Sequence, residues 1–173
     1  MIIRISDIED EVKVQGAMEG SRFQEMEDVD DAVHFASPAV YELVVKKKGE
    51  VLHIKGAVEC TLALTCSKCL EQFSLSVEAF IDIELAPRTL MPSESELELK
   101  GEDLDTYYYE GDEVDLDPFV YEEIMLNVPI KPVCKGDCRG LCESCGGNRN
   151  YEDCRCDVAS HTLLGEKLKS FLN

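Results

Sequence analysis

The chain has 173 residues, 45% hydrophobic and 31% charged, a composition that suits one domain with a small appendage. The formal charge of −19 is concentrated before Pro129: from Pro129 onward there are seven Lys/Arg and six Asp/Glu, a net +1, so the first 128 residues carry −20. So acidic a body repels phosphate, which argues against a wide nucleic-acid groove and favours a soluble protein or a basic protein partner.

Hydropathy and the residues near the start argue against two further classes. The sequence has no run of about 18 apolar residues, which a membrane-spanning helix needs. Asp7 follows closely on the apolar start, which is not typical of a secretory signal. We therefore expect a cytoplasmic protein with no membrane partner. In that reducing compartment, clustered cysteines bind metal more often than they form disulfides.

Alternating apolar residues predict strands over much of the first 86 residues. Val12 and Val14 indicate a weak first strand, followed by an acidic loop at 19–31. Period-2 alternation between 38 and 86 then places one face of each strand in the core. The residues predicted to face the core are Tyr41, Leu43, Val45, Leu52, Ile54, Val58, Cys60, Leu62, Leu64, Phe73, Leu75, Val77, Ala79, Ile81, Ile83 and Leu85. Gly56 interrupts the pattern and predicts a bulge or sharp bend.

The next stretch, 87–117, is acidic and has only Arg88 and Lys100 as cations, which predicts a polar connector. Its tyrosine triplet, 107–109, is expected to cover the sheet rather than to stack bases. A short helix is predicted at 117–127, with Asp117 as the N-cap and Pro118 in the first turn. Apolar residues at helical spacing predict a terminal amphipathic helix at 158–173.

These patterns predict an α+β protein whose sheet is mainly antiparallel and either barrel-like or strongly coiled. The expected domains are an antiparallel β body at 1–128, a Cys-rich zinc-binding module at 129–157 fastened to the hairpin at 66–69, and a C-terminal helix at 158–173.

Nine cysteines give the most specific signal in the chain. Six of them lie between Cys134 and Cys156, interleaved with glycines, a density that is typical of a loop folded around metal. The pair Cys66/Cys69 lies at the predicted hairpin turn. A strand rather than a helix follows it, so the helix N-terminus that activates a thioredoxin-type pair is missing. Cys60 lies on the apolar face of its strand and is interpreted as a core residue.

Eight cysteines remain, enough for two four-cysteine sites. The predicted metal ligands are Cys66, Cys69, Cys134, Cys138, Cys142, Cys145, Cys154 and Cys156. In the favoured pairing, Cys142/Cys145 join Cys154/Cys156, and Cys134/Cys138 complete the site begun at the hairpin. The alternative is a local site formed by the four cysteines from 134 to 145. Zn²⁺ is favoured over an iron–sulfur cluster, and fully occupied four-cysteine sites are structural rather than catalytic.

Three motifs then carry a family resemblance. They are C-S-K-C-L-E-x-F at 66–73, V-P-I-x-P-V-C at 128–134 and D-C-R-G-L-C-E-S-C-G-x-N-x-N-x-x-x-C-x-C at 137–156. Over roughly 33–157 the chain resembles the YceD family of large ribosomal RNA subunit accumulation proteins. The resemblance implies a cytoplasmic bacterial protein that supports 23S rRNA accumulation. It implies no catalytic residues, and it is compatible with a second metal site that is dispensable.

Two functions are therefore carried forward. The first is a non-enzymatic ribosome biogenesis factor that binds the pre-50S particle through a basic ribosomal protein or rRNA, with no small-molecule substrate. Its expected RNA contacts are Lys131, Lys135, Arg139, Arg149 and Arg155. The second is a thiol redox or metal-handling protein that uses Cys66 and Cys69.

Overall fold

The computed structural model describes residues 1–24, 33–91 and 106–156. The chain divides into two units, the first comprising Met1–Leu64 and Ser74–Ile130, and the second Thr65–Phe73 and Lys131–Asn173. The predicted helix at 158–173 lies outside the described residues. In the described part of the chain, no helix is long and apolar enough to cross a bilayer.

Strands dominate the first unit, and the elements are short except in the central hairpin. The strands are β1 (Ile2–Arg4), β2 (Glu11–Met18), β3 (His34–Phe35), β4 (Ala39–Lys48), β5 (Val51–Thr65), β6 (Gln72–Pro87), β7 (Thr106–Tyr109) and β8 (Glu113–Asp115). The helices are α1 (Gly20–Gln24) and α2 (Asp117–Leu126), with single 3₁₀ turns at Ile5–Asp7 and Arg88–Leu90.

The main sheet is open. Its strands follow the order β2-β4-β5-β6-β7, with β3 added beside β5, and β1 pairs with β8 in a separate two-stranded sheet. The pairs β2–β4 and β4–β5 are antiparallel, whereas β7 runs parallel to β6. Among the described residues the pairing does not return from β7 to β2. The prediction of a barrel-like sheet is therefore wrong. The sheet is mixed, although most of its strand pairs are antiparallel.

The predicted alternation along β5 and β6 is confirmed. In β5 the even-numbered residues from Leu52 to Leu64 are buried except at Gly56, and in β6 the odd-numbered residues are buried from Val77 to Leu85. Burial of each large aliphatic side chain contributes about 1.5–3 kcal/mol. Cys60 belongs to this core, where burial raises the pKa of its thiol to about 11. The long hairpin therefore supplies much of the core of the first unit.

Gly56 serves close approach between strands, and the predicted bulge is absent from the β4–β5 pairing. The register is unbroken from Val40 opposite Glu59 to Lys48 opposite Val51. A Cβ atom at Gly56 would lie 2.0 Å from the carbonyl oxygen of Glu42. Only glycine fits there, because the backbone of β4 occupies the space of a side chain.

In the acidic stretch 87–117, the described residues 87–91 and 106–117 contain strands that the sequence does not predict. Its described residues include β7, which contains the tyrosine triplet, and β8. Tyr107 packs edge-on against Phe119 of α2, with ring centroids 4.9 Å apart. The hydroxyl of Tyr109 donates to the carbonyl of Glu50 at 2.6 Å. The triplet is therefore a strand of the sheet and not, as the sequence predicted, a cover over it.

The predicted N-cap of α2 is wrong, and the loop predicted at 19–31 is wrong at residues 20–24. The N-cap of α2 is Leu116 rather than Asp117. Asp117 is buried at the first helical position, where its carboxylate pairs with Arg22 and the Met1 amino group. The loop predicted at 19–31 contains α1, and its Phe23 is fully buried and stacks on Phe35 at 4.4 Å. Residues 25–31 of that predicted loop lie outside the described residues.

Candidate metal centres

The second unit brings the eight predicted ligand cysteines together in two groups of four. Centre I contains Cys66, Cys69, Cys134 and Cys138, and centre II contains Cys142, Cys145, Cys154 and Cys156. Within each group the sulfur atoms all lie within 4.8 Å of one another. This division is the one favoured from the spacing, and the local site from 134 to 145 is not formed. Cys60 belongs to neither group.

Centre I has the dimensions of a tetrahedral site. The Cys66 and Cys138 sulfurs are 3.8 Å apart, and those of Cys69 and Cys134 are 3.7 Å apart. A zinc ion bound to four thiolates at about 2.3 Å separates them by about 3.8 Å, so these distances match. Three of the four cysteines are buried in a small cluster that Phe73, Val133 and Leu141 border. The donor set is entirely thiolate, which suits zinc.

Both Cys-x-x-Cys turns have the same backbone structure. The amide of Cys66 donates to the carbonyl of Glu71 at 2.8 Å, and the amide of Leu70 donates to the carbonyl of Cys66 at 2.9 Å. In centre II, the amide of Cys142 donates to the carbonyl of Gly147, and the amide of Gly146 donates to the carbonyl of Cys142, both at 2.8 Å. The residue after each second cysteine has a left-handed backbone, with φ of 61° at Leu70 and 73° at Gly146. The two turns, the knuckles of the two centres, therefore share one backbone geometry.

Centre II is more open than centre I. The Cys154 sulfur lies 3.7 Å from that of Cys145 and 3.2 Å from that of Cys142. Both distances exceed the length of a disulfide bond, about 2.05 Å. Cys142 is buried, Cys154 is half-buried, and Cys145 and Cys156 are exposed. The residues fit a metal here too, but solvent reaches two of the four cysteines.

Hydrogen bonds to sulfur stabilise thiolates in centre I. Burial of Cys66 opposes ionisation, but backbone amides, including that of Cys134, outweigh it and lower the pKa of Cys66 to about 6. The Asn150 side chain is the largest cause of a lowered pKa at Cys138. Burial raises the pKa of Cys134 to about 12. The lowered pKa values of Cys66 and Cys138 thus favour the thiolate, the form that binds metal.

Centre II divides its thiols in a similar way. The backbone amide of Cys145 is the main reason that the pKa of Cys142 falls to about 6. Contact with the Cys154 side chain raises the pKa of Cys156 to about 12. The amide groups of a knuckle turn therefore favour the anion at the first cysteine of both centres.

Asn150 contacts one of the predicted ligands, and the sequence analysis missed it. Its side-chain nitrogen lies 3.4 Å from the sulfur of Cys138 and 2.9 Å from Oδ1 of Asn148. Its Oδ1 accepts a hydrogen bond from the amide of Arg139 at 2.9 Å. The asparagines of the N-x-N motif at 148–150 were the available signal, but a polar loop residue does not by itself reveal its target.

The exposed basic residues of the second unit include all five predicted RNA contacts. Lys131, Lys135, Arg139, Arg149 and Arg155 are exposed. Arg139 lies 3.5 Å from Asp153, and Lys135 lies 3.9 Å from Asp137. Lys68, which the sequence analysis did not include, is also exposed, and its carbonyl accepts the amide of Leu141 at 3.0 Å. The knuckle of centre I therefore adds a cation beside the cysteine-rich loop.

A protein-family model matches most of the chain. The model described as "Large ribosomal RNA subunit accumulation protein YceD" matches residues 54–170, a span that includes both centres. No solved structure matches the chain.

Curated relatives are distant and longer. An uncharacterised protein of Mycobacterium leprae is 24% identical over 66% of this chain and 50% of its own length. An uncharacterised protein of Mycobacterium tuberculosis is 25% identical over 73% of this chain and 65% of its own. The chloroplastic large ribosomal RNA subunit accumulation protein YCED homolog 1 of Arabidopsis thaliana is 23% identical over 69% of this chain and 44% of its own length. The chain thus spans between 44% and 65% of the length of these relatives.

Proposed function

This chain belongs to the YceD family, and on that premise we propose that it is a non-enzymatic ribosome biogenesis factor that supports accumulation of 23S rRNA in the cytoplasm. The observation that carries the proposal is the family match, which includes both cysteine centres. The chloroplast relative, whose name refers to accumulation of the large ribosomal RNA, supports the same assignment.

The proposed role of the two centres is structural. Each would hold one Zn²⁺ through four thiolates, which leaves no coordination position for a substrate or an activated water. The metal would then fix the fold of a unit whose described residues include few strand residues, and it would hold the exposed cations of that unit in place. We assign no catalytic residue and no small-molecule substrate.

The proposed partner is the pre-50S particle. The strongly acidic residues of the first unit favour a basic ribosomal protein, and the exposed cations of the second unit favour contact with rRNA phosphates. Charge reversal of Lys131, Lys135, Arg139, Arg149 and Arg155 separates the two contacts. Loss of co-sedimentation with pre-50S particles supports the RNA contact, and unchanged co-sedimentation excludes it. Reversal of the exposed Lys13 and Lys48 of the first unit is the control.

The decisive experiment is genetic. Deletion of the gene should lower the ratio of 23S to 16S rRNA, and the wild-type gene should restore it. A Cys66→Ser/Cys69→Ser variant should fail to restore it, because centre I loses two ligands. A Cys60→Ala variant, which changes a cysteine outside both centres, is the control and should restore it. An unchanged rRNA ratio in the deletion strain would rule out the proposal.

A thiol redox or metal-handling function is the competing proposal. The lowered pKa of Cys66 favours it, whereas the burial of Cys66 and Cys69, at most 3% exposed, hinders attack by an external reagent. It requires thiols that react in the native protein and metal that exchanges freely. The assembly role requires thiols that are blocked until a chelator removes the metal.

A further inference from the structure

The loop that closes centre II also contacts a ligand of centre I. Asn150 lies between Cys145 and Cys154 in the sequence, both of which belong to centre II. Its side-chain nitrogen nevertheless donates to the sulfur of Cys138, a buried ligand of centre I, at 3.4 Å. The loop between Cys145 and Cys154 of centre II, here called the spacer, therefore supplies a hydrogen bond to a sulfur of centre I.

A network of hydrogen bonds fixes the orientation of Asn150. Oδ1 of Asn148 accepts from both the backbone and the side-chain nitrogen of Asn150, at 3.0 and 2.9 Å. Oδ1 of Asn150 accepts the Arg139 amide, so the side-chain nitrogen faces Cys138. Each polar atom of the Asn150 side chain thus has a partner, and the donor to sulfur is fixed by the others.

Both ends of this spacer are cysteines of centre II. The amide of Arg149 donates to Gly140 at 2.9 Å, which holds the spacer against the segment between Cys138 and Cys142. The ends of the spacer meet where the sulfurs of Cys145 and Cys154 lie 3.7 Å apart. A metal that joins these sulfurs closes the loop and reduces its conformational freedom, whereas a metal-free loop must be ordered by hydrogen bonds alone.

We propose that Asn150 is a positioning residue for Cys138 and that it couples the two centres, so that metal in centre II strengthens metal binding at centre I. A zinc ion with four thiolates has a net charge of −2, and N–H donors to sulfur stabilise that excess charge. The inference rests on the proposed metal occupancy but not on the ribosomal role. It also differs from the expectation that the second metal site is dispensable.

The first test compares metal release from the full zinc-loaded chain in excess chelator. Asn150→Asp keeps the oxygen that accepts the Arg139 amide but replaces the donor to Cys138 with oxygen. It should release one of two zinc ions about tenfold faster or more, the effect typical of losing a partner of a metal ligand. Asn150→Ala, which adds no charge, should do the same.

Asn148→Asp is the matched control, because it adds the same charge to the same loop but keeps the Oδ1 acceptor for Asn150. The rate of zinc release from this variant should stay within about twofold of the wild-type rate. Equal acceleration in Asn148→Asp and Asn150→Asp would mean that charge alone acts, and would overturn the proposal. Unchanged release in both Asn150 variants would also overturn it.

A spectroscopic readout separates positioning of the sulfur from general loosening of the fold. With Co²⁺ in place of zinc, loss of the hydrogen bond to Cys138 raises the energy of the sulfur electrons. The sulfur-to-cobalt charge-transfer band should therefore move to longer wavelength in both Asn150 variants and not in Asn148→Asp. An unshifted band together with faster release would assign Asn150 a purely structural role.

The coupling itself is tested by disabling centre II. A Cys154→Ser/Cys156→Ser variant should bind one zinc ion, and that ion should leave about tenfold faster than the slower of the two wild-type ions. Equal rates would show that the centres are independent. A wild-type chain that binds no metal would overturn the inference together with the proposed occupancy, whereas a normal 23S rRNA level in the deletion strain would affect only the proposed function.

Discussion

The amide of Leu70 donates to the carbonyl of Cys66 at 2.9 Å, and Leu70 makes this bond with a left-handed backbone, φ 61°. Gly146 occupies the same place in the other knuckle, where it donates to Cys142 at 2.8 Å with φ 73°. Leucine in this conformation costs about 1–2 kcal/mol, a cost that glycine avoids. The Leu70 side chain is 64% exposed, so packing offsets little of it.

We therefore predict that Leu70→Gly stabilises the metal-bound protein. Relief of the backbone contributes about 1–2 kcal/mol, and the greater freedom of glycine in the unfolded chain offsets about 0.5–1 kcal/mol of it. The free energy of unfolding in urea should rise by about 0.5–1 kcal/mol. Gly146→Leu should lower it by a similar amount. Leu90→Gly, at an exposed leucine without a positive φ, is the control and should not stabilise the protein.

The two centres predict a defined order of thiol reactivity. With metal bound, none of the eight ligand cysteines should react with iodoacetamide, and elemental analysis should find about two zinc ions per chain. After chelation all eight should react, with Cys145 among the first because it is exposed. Cys60 should react only after the protein is unfolded, because it is buried in the first unit. Mass spectrometry of the alkylated peptides measures each step.

Two outcomes would contradict this prediction. A metal ratio near one would mean that one group of four cysteines does not bind zinc. Rapid reaction of Cys66 or Cys69 in the untreated protein would favour the redox function, because those sulfurs are buried in the structure.

The sequence predicts those parts of the fold that depend on a repeated local rule. The apolar residues of β5 and β6 must alternate because one face of each strand is buried, so positions such as Ile54 and Ile81 were predictable. The division of the cysteines was also predictable, because four thiolates in 12 residues leave little freedom for a tetrahedral site. Both predictions use spacing alone.

Other parts depend on contacts between distant residues, which spacing does not encode. Tyr108 lies in β7 opposite Ala86 of the parallel strand β6, far from it in the sequence, and the triplet shows no alternation. Phe23 is a single aromatic residue in a polar stretch, yet it is fully buried. Sheet closure depends on whether the edge strands pair, and period-2 patterns say nothing of that. Asn150 was missed for the same reason.

The core position of Cys60 predicts a loss of stability at alkaline pH. Burial raises the pKa of its thiol in the folded protein from an ordinary value near 9 to about 11. Between these values the unfolded chain ionises while the folded chain stays protonated, so ionisation favours unfolding. The contribution of the protonated, buried Cys60 thiol to the free energy of unfolding is therefore complete below pH 9 and is lost as the pH rises to about 11. Urea unfolding of the wild type and Cys60→Val across this range measures it.

The expected result is a difference between the two curves. The wild type should lose more stability than Cys60→Val as the pH rises, because valine has no ionisable group at this position. Other groups that titrate in the same range, such as tyrosines and lysines, are common to both proteins and cancel in the comparison. Parallel curves would show that the Cys60 thiol is not desolvated in the folded protein.

Gly56 gives the sharpest test of the sheet register. In Gly56→Ala the new Cβ would lie 2.0 Å from the carbonyl oxygen of Glu42 and 2.8 Å from the Cα of Leu43. Both atoms belong to the backbone of β4, so no side-chain rotation relieves the overlap. Separating β4 from β5 at this point should lower the free energy of unfolding by about 2–4 kcal/mol, measured by urea titration. The control is Gly136→Ala, where a Cβ meets nothing within 4 Å and stability should change by less than about 0.5 kcal/mol. Equal stability of the two variants would mean that Leu43 and Gly56 are not paired as described here.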